Sequence, residues 1–189
     1  MNTYERTQRT MKTVKQLVER YYSSNDFSLL RDKSKADYKY FLGVMTDKFG
    51  DIKFDKLTSK EAKHAYEEWV ERGISFANHI CTVSSIVYRY AIDMEYATVN
   101  PFSSVRRKTP IQRKVVWSED DVRQFLDTAY SRFEWRSLGL IVHMAYEWCQ
   151  RLGDMRLLTW DNVDLPDKKL YLEQSKRRAE VTLPIEDDL

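Results

Sequence analysis

The chain has 189 residues, of which 42% are hydrophobic and 13% aromatic. This composition excludes general disorder and allows one large folded domain or two small ones. Only 5 glycines and 4 prolines are present, which leaves little room for a turn-rich all-β fold. The sequence therefore predicts a mainly helical protein.

The 31 basic and 29 acidic residues nearly cancel, so a nucleic-acid binder with this composition must cluster its positive charge. Cys81 and Cys149 fit no CxxC metal or redox spacing, which favours a reduced, cytoplasmic protein. Residues 1–12 do not resemble a signal peptide, and the most apolar run, 138–145, is too short to span a bilayer. We expect no membrane partner.

Four amphipathic helices are predicted in the first hundred residues, because apolar residues recur there at i, i+3, i+4 and i+7. Stripes of this kind joined by short loops predict a helical bundle over residues 1–101. The stripes are Val14, Leu17, Val18 and Tyr21; Tyr38, Phe41, Leu42 and Met45; Ala62, Ala65, Tyr66, Trp69 and Val70; and, in a helix from about Phe76 to Tyr96, Ile80, Val83, Val87, Tyr90, Ala91 and Met94.

Local signals predict where these helices begin and end. Thr58 and Glu61 form an S/T-x-x-E capping box at the start of the third helix, and Ser34 and Asp37 are placed like a capping pair for the second. Gly73 is predicted to stop the third helix.

A basic segment follows the bundle. Asn100-Pro101 ends the bundle, because the residue before a proline disfavours the α region. Residues 102–114 contain no acid and are predicted to be a linker that contacts DNA phosphates, the alternative being a solvated loop. Its basic residues are Arg106, Arg107, Lys108, Arg113 and Lys114.

A second domain is predicted over residues 115–189. Ser118 and Asp121 are placed to cap its first helix, and a strongly apolar helix is expected in the middle of its core. The further elements are that helix at Trp135–Cys149, a short helix ending near Trp160, and a hairpin with strands at 170–172 and 181–183.

The most informative stretch is residues 149–160, CQRLGDMRLLTW, in which an acid, Asp154, follows Arg151 by three positions. An apolar run, a tryptophan and an acid-rich turn come next, and QSK at 174–176 then precedes VTLPI at 181–185. This order resembles the first catalytic box and the lysine-bearing β-hairpin of the tyrosine recombinase (phage integrase) family. Upstream, residues 49–51, 57–58, 72–75 and 100–102 resemble its core-binding domain, so the resemblance covers about Thr13 to Ile185.

The resemblance implies a fold and an activity. The fold would be a four-helix SAM-like core-binding bundle, followed by the start of a mixed α/β catalytic domain with a small antiparallel hairpin. The activity would be site-specific cutting and rejoining of double-stranded DNA through a 3′-phosphotyrosyl link, by a protein tetramer and without metal or cofactor. An integrase of a phage, a prophage or another mobile element is the implied setting.

The resemblance also assigns roles to three residues. Arg151 would clamp the scissile phosphate, whose oxygens gain negative charge during attack. Lys176 would protonate the departing 5′ oxygen, and Asp154 would orient the Arg151 guanidinium or brace the catalytic fold. The alternatives are an ordinary i, i+3 salt bridge for Arg151 and Asp154 and a solvated turn lysine for Lys176.

The fourth helix carries a polar side that the resemblance assigns to the major groove of DNA. Away from its apolar stripe lie Asn78, His79, Thr82 and Arg89. The alternative is a plain polar helix face.

The sequence also departs from the family pattern. Gln150 stands where we expect a glycine before the box arginine, and the hairpin turn reads Lys176-Arg177-Arg178 where a glycine is common. No H-x-x-R box is present, because no arginine follows His64, His79 or His143 by three positions. We therefore expect the nucleophilic tyrosine to lie beyond Leu189 and this chain alone to be inactive. Two rivals remain: a non-catalytic DNA-binding module from a truncated or decayed integrase, and a helical protein-interaction domain.

Overall fold

The computed structural model describes residues 11–112, 114–176 and 178–185. The chain divides into two compact units, the first of which ends at Gln112, inside the predicted linker. Within the described residues, none of the helices is both long and apolar enough to cross a membrane.

Unit 1 is a bundle of helices, and its four longer helices confirm the four predicted ones. A single-turn helix, α2, was not predicted. The elements are α1 (Val14–Tyr22), α2 (Asn25–Ser28), α3 (Asp32–Phe49), α4 (Ser59–Val70) and α5 (Ile74–Asp93).

The core of unit 1 is built around α5, which packs against α1, α3 and α4. Most residues of the predicted apolar stripes are buried there, among them Leu17, Leu42, Ala65 and Val87, all without exposed surface. Aromatic residues fill the space between the helices; Tyr88 is fully buried in the same cluster. Burial of this continuous apolar surface is the main driving force for folding the bundle.

The predicted helix boundaries of unit 1 were partly right. The capping box of α4 is confirmed: Thr58 Oγ1 accepts from the Glu61 amide at 3.2 Å, and Glu61 Oε2 accepts from the Thr58 amide at 2.8 Å. The pair Ser34 and Asp37 is wrong as a cap, because α3 already begins at Asp32. Gly73 does not end α4, which stops at Val70; with φ of 130° it precedes α5 in a backbone conformation that favours glycine.

Part of the predicted linker packs on unit 1. Phe102 and Val105 are buried in its core. The Asn100 side-chain amide donates to the backbone oxygen of Ser85 at 3.1 Å and to its hydroxyl at 2.9 Å. These contacts hold the chain against α5 as it leaves the bundle.

Unit 2 contains short helices and a three-stranded antiparallel sheet in the order β1-β2-β3. The Ser118–Asp121 capping box and the predicted hairpin are both confirmed, the hairpin as β2 and β3. The elements are α6 (Glu119–Ser131), a 3₁₀ turn (Phe133–Trp135), α7 (Arg136–Glu147), α8 (Leu152–Met155), a 3₁₀ turn (Trp160–Asn162), β1 (Val163–Asp164), β2 (Lys169–Glu173) and β3 (Glu180–Pro184).

Two predictions for unit 2 were wrong. The apolar helix α7 is not in the middle of a core: Leu138 and Leu140 remain 49% and 42% exposed. Among the described elements, α7 packs mainly on α6 and α8, with Gly139 close to Ala129, so only part of its surface is covered. The short helix after α7 ends at Met155, not near Trp160.

Candidate catalytic site and nucleic-acid interface

The candidate catalytic site of unit 2 begins where α7 ends. Trp148 closes the helix, and Cys149 follows with φ of 50°, in the left-handed region. The Trp148 indole N–H donates to the backbone oxygen of Pro184 at 2.8 Å, which ties this turn to the end of β3. We had expected the conformation that favours glycine at Gln150. The structure has it one residue earlier, at Cys149.

A tight turn places the Asp154 carboxylate beside Arg151. Arg151 is the residue before α8, and its backbone oxygen accepts from the Asp154 and Met155 amides at 2.9 and 3.1 Å. Arg151 Nη1 lies 3.6 Å from Asp154 Oδ2. The Arg151 side chain is 45% exposed, whereas the Asp154 side chain is buried. A buried anion thus holds a guanidinium that remains open to solvent.

Asp154 also holds the turn of the hairpin. Its Oδ1 accepts from the Ser175 amide at 3.1 Å. Hydrogen bonding from the Ser175 side chain lowers the pKa of Asp154; burial opposes this, and the Ser175 amide and the nearby Arg151 charge lower the pKa further. The carboxylate therefore stays ionised at neutral pH and joins Arg151 to the residue directly before Lys176.

A second contact joins the same two segments. Gln174 Nε2 donates to Gln150 Oε1 at 2.8 Å, and Gln150 Nε2 donates to the backbone oxygen of Trp148 at 2.9 Å. We call the pair Gln150 and Gln174 the glutamine clasp. From the sequence, Gln150 is recognisable only as a departure from the family pattern, and its partner is not, because a long amide side chain carries no signal of which distant residue it contacts.

The hairpin turn exposes the side chains of Lys176 and Arg178 to solvent. The Arg178 amide donates to the backbone oxygen of Gln174 at 2.7 Å, and the Gln174 amide donates to that of Ala179 at 2.8 Å. Arg178 has φ of 52°, so it adopts the left-handed conformation that a glycine commonly provides in such a turn. Lys176 is exposed. Arg177 lies outside the described residues.

The arrangement suits recognition of an oxyanion. An accessible guanidinium offers forked donors for a phosphate, and the neighbouring turn carries an ammonium that can donate a proton. Within the described ranges, no group of three or more His, Cys, Asp or Glu side chains is placed to hold a metal ion.

The residues predicted to read DNA on α5 differ in their availability. His79, Thr82 and Arg89 are exposed, and the His79 ring stacks on Phe41 with the ring centroids 4.9 Å apart. Asn78 is engaged inside unit 1. Its Oδ1 accepts from the Tyr66 hydroxyl at 2.9 Å, and its Nδ2 donates to the backbone oxygen of Lys108 at 2.9 Å. The Asn78 amide thus links α5 to Tyr66 on α4 and to the backbone of Lys108.

The basic residues of the predicted linker also differ, in their exposure and in whether they form an ion pair. Arg106 and Arg107 are exposed. Lys108 Nζ lies 2.6 Å from Glu67 Oε2 on α4, so its charge is already paired. Lys114 is exposed and belongs to unit 2, and Arg113 lies outside the described residues.

The known proteins whose sequences resemble this chain are integrases of phages. No family model matches the chain. It is 25% identical over 156 residues to the integrase of Enterobacteria phage 434, 24% identical over 156 residues to that of Escherichia phage lambda, and 25% identical over 158 residues to that of Escherichia phage HK022. Each alignment covers 82% of this chain but only 43% of the relative, so the chain spans less than half the length of these curated relatives.

Solved structures share the fold. A lambda integrase tetramer bound to a Holliday junction matches with a TM-score of 0.80 and 22% identity, over 96% of this chain and 51% of that one. The Tn1549 transposon integrase in complex with a circular intermediate DNA matches with a TM-score of 0.78 and 14% identity, over 94% and 62%. Sequence similarity to phage integrases and this shared fold together confirm the predicted resemblance: the chain is related to the integrases of the tyrosine recombinase family.

Proposed function

We propose that this chain is the DNA-binding and phosphate-clamping part of a site-specific recombinase of the integrase kind. The complete enzyme would cut and rejoin double-stranded DNA through a phosphotyrosyl intermediate. This chain contains no H-x-x-R sequence, so the second arginine and the nucleophilic tyrosine would come from other residues of that enzyme.

The observation that carries this proposal is the double contact of Asp154. One of its oxygens lies 3.6 Å from the Arg151 guanidinium, and the other accepts from the Ser175 amide, next to Lys176. A surface salt bridge would not need a buried carboxylate or a partner on the hairpin. In the proposed role, Arg151 stabilises charge on the scissile phosphate, Lys176 protonates the leaving oxygen, and Asp154 positions both segments.

The proposed DNA interface includes the exposed residues of α5 and the basic segment after the bundle. His79, Thr82 and Arg89 would face the duplex, while Arg106 and Arg107 would contact its phosphates. Among the solved neighbours, lambda integrase is a dimer bound to a core site in one structure and a tetramer bound to a Holliday junction in another. We propose the same partners, duplex DNA and further copies of the protein, for the complete enzyme.

The test compares Arg151→Ala with Arg156→Ala in the complete recombinase, because Arg156 is an exposed arginine at the other end of α8. Arg151→Ala should slow cleavage by roughly 10²-fold or more, as for lost oxyanion donors, while DNA affinity changes little. Arg156→Ala should cleave normally. Equal rates for the two variants would remove Arg151 from the chemistry.

A modified substrate separates the roles of the two basic residues. Lys176→Ala should also slow cleavage, but a substrate with a 5′-thio leaving group should restore much of the rate, because a thiolate departs without needing a proton. Arg151→Ala should show no such recovery. The same response in both variants would contradict the proposed division of labour.

The second candidate function is a DNA-binding module without chemistry, which the missing H-x-x-R sequence favours for this chain on its own. The chain should then bind duplex DNA but form no covalent adduct with a nicked substrate. A DNA-linked band that survives denaturant would show that one of its own tyrosines can attack, and would rule this candidate out.

A further inference from the structure

We propose that a basic groove in unit 1, between α4 and residues 104–106, binds the phosphate backbone of duplex DNA; this inference rests on the proposed DNA-binding function. The groove has a volume of about 510 Å³. Four of its lining residues are basic: Lys60, Lys63 and His64 on α4, and Arg106 on the segment that leaves the bundle. The sequence alone assigns no DNA-binding role to the three residues on α4.

Both walls of this basic groove are fixed. The Thr58–Glu61 capping box holds the start of α4. The opposite wall is held because Val105 is buried in the core and the Lys108 amide donates to the Tyr66 hydroxyl at 2.6 Å. A site whose walls are already ordered binds an anion without a further cost of ordering the chain.

The charges along the groove favour an anion. Glu67 is the acidic residue among those that line it, and its Oε2 lies 2.6 Å from Lys108 Nζ, so its charge is paired. Lys60, Lys63 and Arg106 then leave an excess of positive charge. Lys60 and Lys63 also lie in the first two turns of α4, where the helix dipole attracts negative groups.

The groove adjoins the proposed DNA-reading side of α5. Tyr66, which lines it, donates its hydroxyl hydrogen to Asn78 Oδ1 on α5. A duplex lying along His79 and Thr82 would thus bring its backbone to the groove. DNA phosphates are repeated anions of the right size for a basic groove beside a base-reading helix. Lys108, which the sequence predicts to contact DNA, is paired with Glu67 in this structure.

The experiment measures binding of this chain to a fluorescent 20-base-pair duplex across a range of NaCl concentrations. The test variant is Lys60→Ala/Lys63→Ala, and the matched control is Lys15→Ala/Lys53→Ala, two exposed lysines of unit 1 that do not line the groove. The slope of log K against log [NaCl] should become shallower by about 1 for each groove lysine removed. The control should keep the slope of the unchanged chain, and thermal melts should show that both variants fold.

A third variant works in the opposite direction. Glu67→Gln removes the acid from the groove and releases Lys108, so it should steepen the slope and tighten binding. An unchanged slope in Lys60→Ala/Lys63→Ala, or an equal change in the control, would overturn the groove proposal while leaving DNA binding intact. If Arg89→Ala weakens binding and the groove variant does not, the interface is confined to α5. A chain that binds no duplex would instead overturn the proposed function itself.

Discussion

Unit 1 and unit 2 are stabilised in different ways. In unit 1, every one of the four longer helices sends buried apolar side chains into one continuous cluster. In unit 2, the buried apolar residues of the described chain are few, and larger side chains such as Leu157 and Trp160 are 64% and 81% exposed. The candidate catalytic residues lie in the unit with less apolar burial. Their geometry therefore depends on specific polar contacts more than on a packed core.

The polar contacts of unit 2 converge on one place. Asp154 and the glutamine clasp both join the Arg151 segment to the hairpin turn, and the Trp148 indole joins the same segment to the end of β3. A buried carboxylate without partners destabilises the folded state, because its desolvation is not compensated. The contacts of Asp154 therefore strongly favour the one geometry in which they are all made. The difference between the units is that apolar packing fixes unit 1, whereas hydrogen bonds and one ion pair fix the candidate site of unit 2.

The largest expected difference between the units comes from truncating one leucine in each. Leu42→Ala in α3 removes a fully buried side chain and should lower the free energy of unfolding of unit 1 by about 3 kcal/mol. Leu140→Ala in α7 removes a side chain that is 42% exposed, and should cost unit 2 less than about 1 kcal/mol. Amide hydrogen exchange in urea, followed separately for each unit, measures both. Equal losses would show that α7 is covered in solution.

The second prediction concerns acid. Because the pKa of Asp154 is lowered in the folded protein, its contribution to stability is complete above the ordinary carboxyl range, near pH 4, and is lost as the pH falls below that range. Unit 2 should therefore release its hairpin turn on acidification. The protection factor of the Ser175 amide, which bonds to Asp154, should fall relative to other amides of unit 2.

Asp154→Asn provides the control for the acid effect. The amide keeps an oxygen that can accept from Ser175 but carries no charge, so the variant should lose most of the acid dependence at this turn. It should also loosen the turn at neutral pH, because Arg151 loses its ion-pair partner. An acid response that is identical in Asp154→Asn and the unchanged chain would assign it to other carboxylates.

The smallest expected effect is a gain in stability. Cys149 has φ of 50°, which costs an L-residue about 1 kcal/mol. Cys149→Gly removes this strain but gives the unfolded chain more freedom, so the net gain in unit 2 should be under about 1 kcal/mol. Cys149→Ala keeps the Cβ and should give no gain. A melting temperature that falls equally in Cys149→Gly and Cys149→Ala would show that the thiol, whose Sγ lies 3.7 Å from the Tyr146 backbone oxygen, makes a stabilising contact.

Prediction from the sequence succeeded where the signal is local. The boxes at Thr58–Glu61 and Ser118–Asp121 were found because each is a pattern of four adjacent residues. The hairpin was found from its alternating apolar residues, and Leu170 and Leu172 are indeed buried on one side of β2. Burial of α7 was predicted wrongly, because hydrophobicity alone does not say how much neighbouring structure covers a helix.

The candidate site shows the same limit. The spacing of Arg151 and Asp154 predicted their contact, which the structure places at 3.6 Å. The bond from Ser175 to Asp154 and the glutamine clasp join residues 21 and 24 positions apart, and no periodic pattern encodes such pairs. Asn78 was predicted to contact DNA from its polar position on a helix and from the family resemblance, neither of which reveals that its amide also bonds to Tyr66 and Lys108.

The glutamine clasp has a consequence for how the protein responds to ionic strength. Both of its groups are neutral amides, so dissolved salt does not screen the bond between them, whereas it weakens contacts between lysines and DNA phosphates. Salt concentrated enough to weaken the proposed DNA contacts should therefore leave the hairpin turn attached to the Arg151 segment. Under the proposed function, release of DNA and loosening of the turn are then separable events.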